Sequence, residues 1–137
     1  MSAHRLLVFG GRAYPDREIV FGVLDRVAKK HVVEVVIHGD AGRTVEGGGV
    51  VGADRLAGAW AEARGVPVEV YPVSREDWRH LGPRAGPLRN QRMIVTGRPT
   101  LAIGFLGDRG TADMRRQALA AGISTWSVTE SGLFTPS

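Results

Sequence analysis

The residues best suited to chemistry lie in short turns. Leu101 to Met114, LAIGFLGDRGTADM, runs apolar, turns through Gly107-Asp108-Arg109-Gly110 and is expected to enter a helix at Thr111. A buried strand, a glycine turn and a helix N-terminus in succession form an anion site. Glycine lets the backbone come close to a ligand, and the free N–H groups and dipole of a first helical turn favour a phosphate. Two further turns have the same character: Gly10-Gly11-Arg12 after RLLVF, and His38-Gly39-Asp40-Ala41 after VVEVVIH. Arg89-Asn90 is expected in the first turn of a helix from about Leu88 to Thr96, with Pro87 at its first position. A cation there opposes the dipole, so an anion partner is expected for Arg89. On this reading, losing the guanidinium weakens ligand binding and leaves stability unchanged or slightly higher. The carboxylates near these turns are Asp40, Asp54, Asp108 and Asp113. His38 closes a strand; it could serve as a metal ligand or a base, and the preferred reading is a structural hydrogen-bonding residue. No second His, Asp or Glu stands at a metal-ligand spacing from it, so no metal site is expected.

Elements must hold these turns on one rim. The apolar runs Arg5 to Phe9, Val32 to His38, Val68 to Tyr71, Thr100 to Phe105 and Ser124 to Val128 read as strands. Asp16 is a good N-cap for a helix with Ile19, Val20, Val23, Leu24 and Val27 at helical spacing. A second helix starts at Gly52-Ala53-Asp54 and is expected to pack through Leu56, Ala57, Trp60, Ala61 and Ala63; a fourth runs from Thr111 to Ala121, with Met114, Ala118 and Ala121 on one side and Gly122 as its stop. Strands alternating with helices predict an α/β domain: a Rossmann-like three-layer sandwich with a five-stranded, mainly parallel sheet. Ligands bind beyond the carboxyl ends of such strands, at the switch in strand order. Gly42 to Val51 holds four glycines and reads as a flexible loop inserted on that rim. It serves as a specificity lid or as a neutral insertion. Pro72 to Pro87 reads as a crossover loop with at most a short helix, its Trp78 a wall over the ligand or a cover for the sheet edge. The predicted domain is residues 1–128, and the tail 129–137 is expected to fray.

Composition excludes several classes. The chain of 137 residues suffices for one domain with a proper core. It has no cysteine, so disulfides and thiolate sites are excluded. No apolar run approaches the roughly 20 residues needed to span a bilayer. The opening MSAHRLLVFGG lacks the apolar region and cleavage site of a signal peptide, so a cytoplasmic location is expected. The net charge of +4 comes from 16 Arg and 2 Lys against 14 acidic residues. Arginine suits bidentate phosphate recognition, but a G+C-rich genome produces the same bias, so each arginine must be argued from its position.

Together these motifs carry a resemblance. GGRAYPD, HGDA followed by GADRLA, the Trp78 loop, AGPLRNQRM and LGDRGTADM occur in the order seen in the SLOG superfamily. The chain looks most like the YspA-type branch of small bacterial and phage proteins, over Leu6 to Thr125. The resemblance implies a Rossmann-like domain for nucleotides or nucleotide-derived ligands. Distant relatives are the cytokinin-activating phosphoribohydrolases once classed as lysine decarboxylases, and the DNA-processing protein that loads single-stranded DNA. The phosphoribohydrolases carry an arginine-lysine pair before a methionine, then PGGxGTxxE. By similarity Arg89-Asn90 and Met93 match the first element, with Arg89 on the catalytic arginine. Leu106 to Thr111 matches the second, with Leu106 for proline and Asp108 for glycine. Met114 stands where that family has its catalytic glutamate. A thioether neither stabilises an oxocarbenium ion nor exchanges a proton, and Asp113 would point about 100° away around the helix.

The expected ligand-binding set is therefore Gly10, Gly11, Arg12, Gly39, Asp40, Asp54, Arg89, Asn90, Gly107, Asp108, Arg109, Gly110 and Thr111. The preferred function is binding or sensing of a phosphorylated, nucleotide-like small molecule, with no cofactor and no membrane partner, by a homo-oligomer (dimer or higher). An N-glycosidic hydrolase is the alternative, with Arg89 as its catalytic candidate. It needs a substitute carboxylate among Asp40, Asp54, Asp108 and Asp113. Nucleic-acid binding is the weaker third reading, because the basic residues are dispersed.

Overall fold

The structure is a computed structural model that describes residues 2–132 and 134–137. The chain runs β1 (Ser2–Phe9), α1 (Arg17–Lys30), β2 (His31–His38), β3 (Arg43–Thr44), β4 (Val50–Val51), α2 (Ala53–Arg64), β5 (Val68–Val70), α3 (Arg75–Leu81), a 3-10 turn (Gly82–Arg84), α4 (Ala85–Val95), β6 (Leu101–Gly104), α5 (Arg109–Ala120), β7 (Ser124–Val128) and β8 (Phe134–Pro136). The central sheet has the order β5-β2-β1-β6-β7-β8. All neighbours are parallel except β7 and β8. The five parallel strands are the five expected from the apolar runs. From β1 the chain adds β2 and β5 on one side, then crosses to β6 and β7 on the other. The switch in strand order therefore lies between β1 and β6.

Side-chain alternation sorts the core into two layers. Leu6 and Val8 of β1, with Val36 of β2 and Ile103 of β6, pack under α1 (Val20, Val23, Leu24, Val27) and α2 (Leu56, Ala57, Trp60). Leu7, Phe9, Ile37 and Ala102 face the other way, against Met93 of α4 and Met114 and Ala118 of α5. The result is a Rossmann-like three-layer α/β sandwich. Each fully buried Leu, Ile or Val contributes roughly 1.5–3 kcal/mol. The Asp16 side chain caps α1 by accepting from the Ile19 N–H at 3.0 Å. Trp60 buries its ring and donates its indole N–H to Asp25, which also holds Arg64. No described helix is long and apolar enough to cross a membrane.

Three local expectations change, and one is met. Gly42 to Val51 is a small antiparallel hairpin, β3 with β4, because the glycines at 47 and 48 take positive φ and close the turn. The crossover from β5 holds the short helix allowed for it, α3, which Ser74 and Asp77 start with a reciprocal capping box. Helix α4 begins at Ala85 rather than Leu88, fed by the 3-10 turn. Pro87 is tolerated there because first-turn N–H groups have no helical acceptor. The tail expected to fray contributes β8, which adds an antiparallel edge to β7; Leu133 of that tail lies outside the described residues.

Candidate functional site

Three glycine turns do meet where β1 and β6 part. The Gly11 N–H donates to the Leu106 carbonyl at 2.9 Å, and its carbonyl accepts from Tyr14 and Ala53. This ties the turn after β1 to the turn after β6 and to the start of α2. Gly107 packs against this junction: a methyl group on it would stand 2.6 Å from the Gly11 nitrogen and would also strike the Thr111 hydroxyl. Gly10 lies so close to Ala53 that a side chain there has no room.

The turn after β2 is built around Asp54. Asp40 adopts a left-handed φ of 60°. The N–H groups on either side of it, Gly39 and Ala41, converge on Asp54 Oδ2 at 3.0 and 3.1 Å. Arg89 reaches the same turn from α4. Its Nη1 donates to the Gly39 carbonyl at 2.7 Å and the Tyr71 carbonyl at 3.3 Å, while its Nε donates to Asn90 Oδ1. A Cβ on Gly39 would displace that guanidinium, standing 2.3 Å from Nη1. Carboxylate and guanidinium thus bracket one residue, Asp54 holding its N–H and Arg89 its carbonyl.

His38 accepts the Asp40 N–H at Nδ1, at 2.9 Å, so its proton sits on Nε2. Burial pushes its pKa down to about 4, and it is a neutral structural residue, as its position at a strand end suggested. Asp54 shows the opposite effect. Burial pushes its pKa up to about 6, opposed by the two backbone N–H groups and the Arg89 charge. Burial lowers the Arg89 pKa, with Asp54 acting against it.

Three adjoining recesses, about 50, 230 and 590 Å³ in volume, open on this rim, and Arg12 and Arg89 border all three. The inner one is floored by Phe9, Met93 and Met114 and walled by Gly10, Asp54, Asn90, Asp108, Gly110 and Thr111. The second takes in Gly39 and Asp40, and the third Arg109 and Arg116. Trp78 lines the outer two. Of the expected ligand-binding residues, Gly11 and Gly107 line none of these recesses; they pack behind the walls.

Several expected donors are engaged inside the protein. The Gly11 and Gly39 N–H groups already have the acceptors named above. Helix α5 starts at Arg109, not Thr111, and Asp108 caps it, its carboxylate accepting the Gly110 N–H at 3.2 Å. A negative group of the chain's own thus sits at the helix end expected to hold a phosphate. Because α4 starts at Ala85, Arg89 stands in its second turn, beyond the strongest field of the dipole. Its partners are the carbonyls of Gly39 and Tyr71. An unchanged stability on its removal is therefore no longer expected.

The four carboxylates separate clearly. Asp113 accepts from Asn90, Gln117 and Arg116. Asp40 pairs with Arg55 at 3.4 Å, and Asp108 caps its helix. Among these four, Asp54 alone keeps a buried oxygen without a partner among the described residues. It is 4% exposed, and its Oδ1 has no partner among the described residues. Thr111, 6% exposed, also has an unpartnered Oγ1. Both residues line the inner recess. Sequence reasoning found Asp54 by its type but not its burial, and it missed Arg55 and the Tyr71 carbonyl. Arg55, next to Asp54, carries a charge that spacing alone does not assign.

Comparison with known proteins agrees with this architecture. The family model described as "YAcAr: YspA, cpYpsA-related SLOG family" matches residues 4–80. The "Gene 61 protein" of Mycobacterium phage D29 is 34% identical over 126 residues, covering 87% of this chain and 91% of that protein.

Proposed function

The chain belongs to the YspA, cpYpsA-related SLOG family, and from that premise we propose that it binds a phosphorylated nucleoside in the cleft between β1 and β6 and holds it without cleaving it. Membership itself suggests a domain that binds or processes nucleotide-related ligands. The observation that carries the finer reading is a buried, unpartnered carboxylate oxygen, Asp54 Oδ1, on a residue that lines one recess together with Thr111, Arg12 and Arg89. An unsatisfied buried polar group costs about 1–3 kcal/mol. A polar ligand removes that cost on binding. Arg89 Nη2 and the exposed Arg12 guanidinium have no partner among the described residues and supply the cations for a phosphate. Trp78, 45% exposed, offers a flat face at the mouth for a base.

Met114 supports binding without hydrolysis, since a thioether lies on the floor of the recess. A hydrolase would rest on Asp54 alone. Calorimetry against nucleoside mono-, di- and cyclic phosphates tests the reading. At least one member is expected to bind with a submillimolar Kd, more tightly than its phosphate-free nucleoside. Chromatography of the same mixtures after overnight incubation is expected to return the ligand intact. Silence from every member at millimolar concentration would remove the proposal, and turnover near one per second would replace binding by hydrolysis.

A further inference from the structure

We propose that the inner recess reads the sugar of its ligand through Asp54, so that the protein selects ribonucleotides over 2′-deoxyribonucleotides. The inference rests on the nucleotide reading above and concerns the part of the ligand that enters deepest. Asp54 and Arg89 hold opposite ends of one residue, Gly39, at 3.0 and 2.7 Å. A phosphate on the Arg89 guanidinium therefore leaves the next group of the ligand, one ester linkage away, beside the Asp54 carboxyl. In a nucleotide that group is the sugar. The base lies further out, where Trp78 borders the two outer recesses and not the inner one.

The open carboxylate oxygen matches a sugar hydroxyl. At pH 7 Asp54 is mainly ionised, its pKa lying at about 6, and an ionised carboxylate only accepts. Its Oδ2 already accepts two N–H groups, which leaves Oδ1 waiting for a donor. A sugar hydroxyl supplies that donor to Asp54. Removing a hydroxyl leaves a buried charged oxygen without its hydrogen bond. Sites of this kind discriminate strongly against the analogue that lacks the group.

The test titrates the whole protein with the four common ribonucleoside 5′-monophosphates and their 2′-deoxy counterparts, plus ribose 5-phosphate. For each nucleotide that binds, the ribo form is expected to be about 10- to 100-fold tighter. In Asp54→Asn, which keeps its oxygen for the Gly39 and Ala41 N–H groups and presents an amide NH2 where Oδ1 stood, the ratio is expected to fall to within about threefold. Ribose 5-phosphate is expected to bind more weakly than the nucleotides, because it lacks a base for Trp78. Equal affinity of the wild type for ribo and deoxy forms would overturn the inference while the nucleotide reading stood. A preference that persists in Asp54→Asn would overturn the role of Asp54. Tighter binding of ribose 5-phosphate than of any nucleotide would overturn the nucleotide as the ligand class. Failure of every compound to bind would take away the nucleotide reading and this inference together.

Discussion

Asp54→Asn makes the unliganded protein more stable at pH 7. The wild-type carboxyl titrates at about 6 in the folded chain, against 3.8 for an unperturbed one, because it is buried. Ionising it in the fold therefore costs up to about 3 kcal/mol more than in the unfolded chain, at 1.36 kcal/mol per unit. Asparagine is uncharged at every pH and keeps an oxygen for the Gly39 and Ala41 N–H groups. The expected gain is about 2–3 kcal/mol, or roughly 5–10 °C in Tm for a chain of this size. The pH dependence carries the sign. Between pH 4 and 6 the folded state binds more protons at Asp54 than the unfolded state does. This contribution is fully present below pH 3.8 and lost as pH rises through 6. His38 does the reverse: held neutral with a pKa near 4 against 6.5, it makes stability rise with pH over much the same window. The two slopes offset each other in the wild type. Asp54→Asn uncovers the His38 slope, so its stability climbs between pH 4 and 6.5 while the wild-type curve stays flatter there. Thermal unfolding of both proteins at half-unit pH intervals checks this. A variant no more stable than wild type at pH 7 contradicts it. The carboxylate, on this account, is kept at a cost in stability because the ligand needs it.

Arg89→Ala lowers stability and affinity together. Without ligand, the Gly39 and Tyr71 carbonyls lose their donor and Asp54 loses its nearest stabilising charge. About 2–3 kcal/mol of stability is expected to go, from the unsatisfied groups alone. With ligand, loss of a charge-assisted hydrogen bond to phosphate is worth about 1.5–3 kcal/mol, or about 10- to 150-fold in Kd. Arg89→Lys keeps the charge without the fork and is expected to restore only part of each. Urea unfolding and calorimetric titration on the three proteins separate the effects. Lost stability with unchanged affinity leaves Arg89 as a bolt between β2 and α4 that no ligand touches.

The frame was legible because β-branched runs and helical spacing report burial directly. Val35, Val36 and Ile37 in β2, and Val20, Val23 and Leu24 in α1, face the core as their spacing demands. The glycine turns were legible as turns, yet their role was misread in part. Type and spacing show that Gly11 and Gly39 can donate an N–H; they do not show that Leu106 and Asp54 already accept it. The start of α4 was misread because Pro87 suits a first helical position, while the 3-10 turn before it leaves no sequence period. The hairpin of β3 and β4 and the edge strand β8 were missed for a related reason: two or three residues are too few to show alternation. Asp54 stood in a recognisable motif, but its burial depends on Ala41, Gly39 and α4 closing over it from distant parts of the chain.

The most direct test of ligand binding at the β1–β6 cleft follows backbone and side-chain amides by NMR during titration with the tightest nucleotide of the panel. The account predicts that the largest shifts fall on Gly39, Ala41, Gly110 and Thr111, the Arg89 Nε–H and the Trp78 indole N–H, and that Asp54→Asn reduces those at Gly39 and Ala41. Shifts centred instead on the far rim, around Lys30, His31 and Trp126, with these amides unmoved, would contradict it.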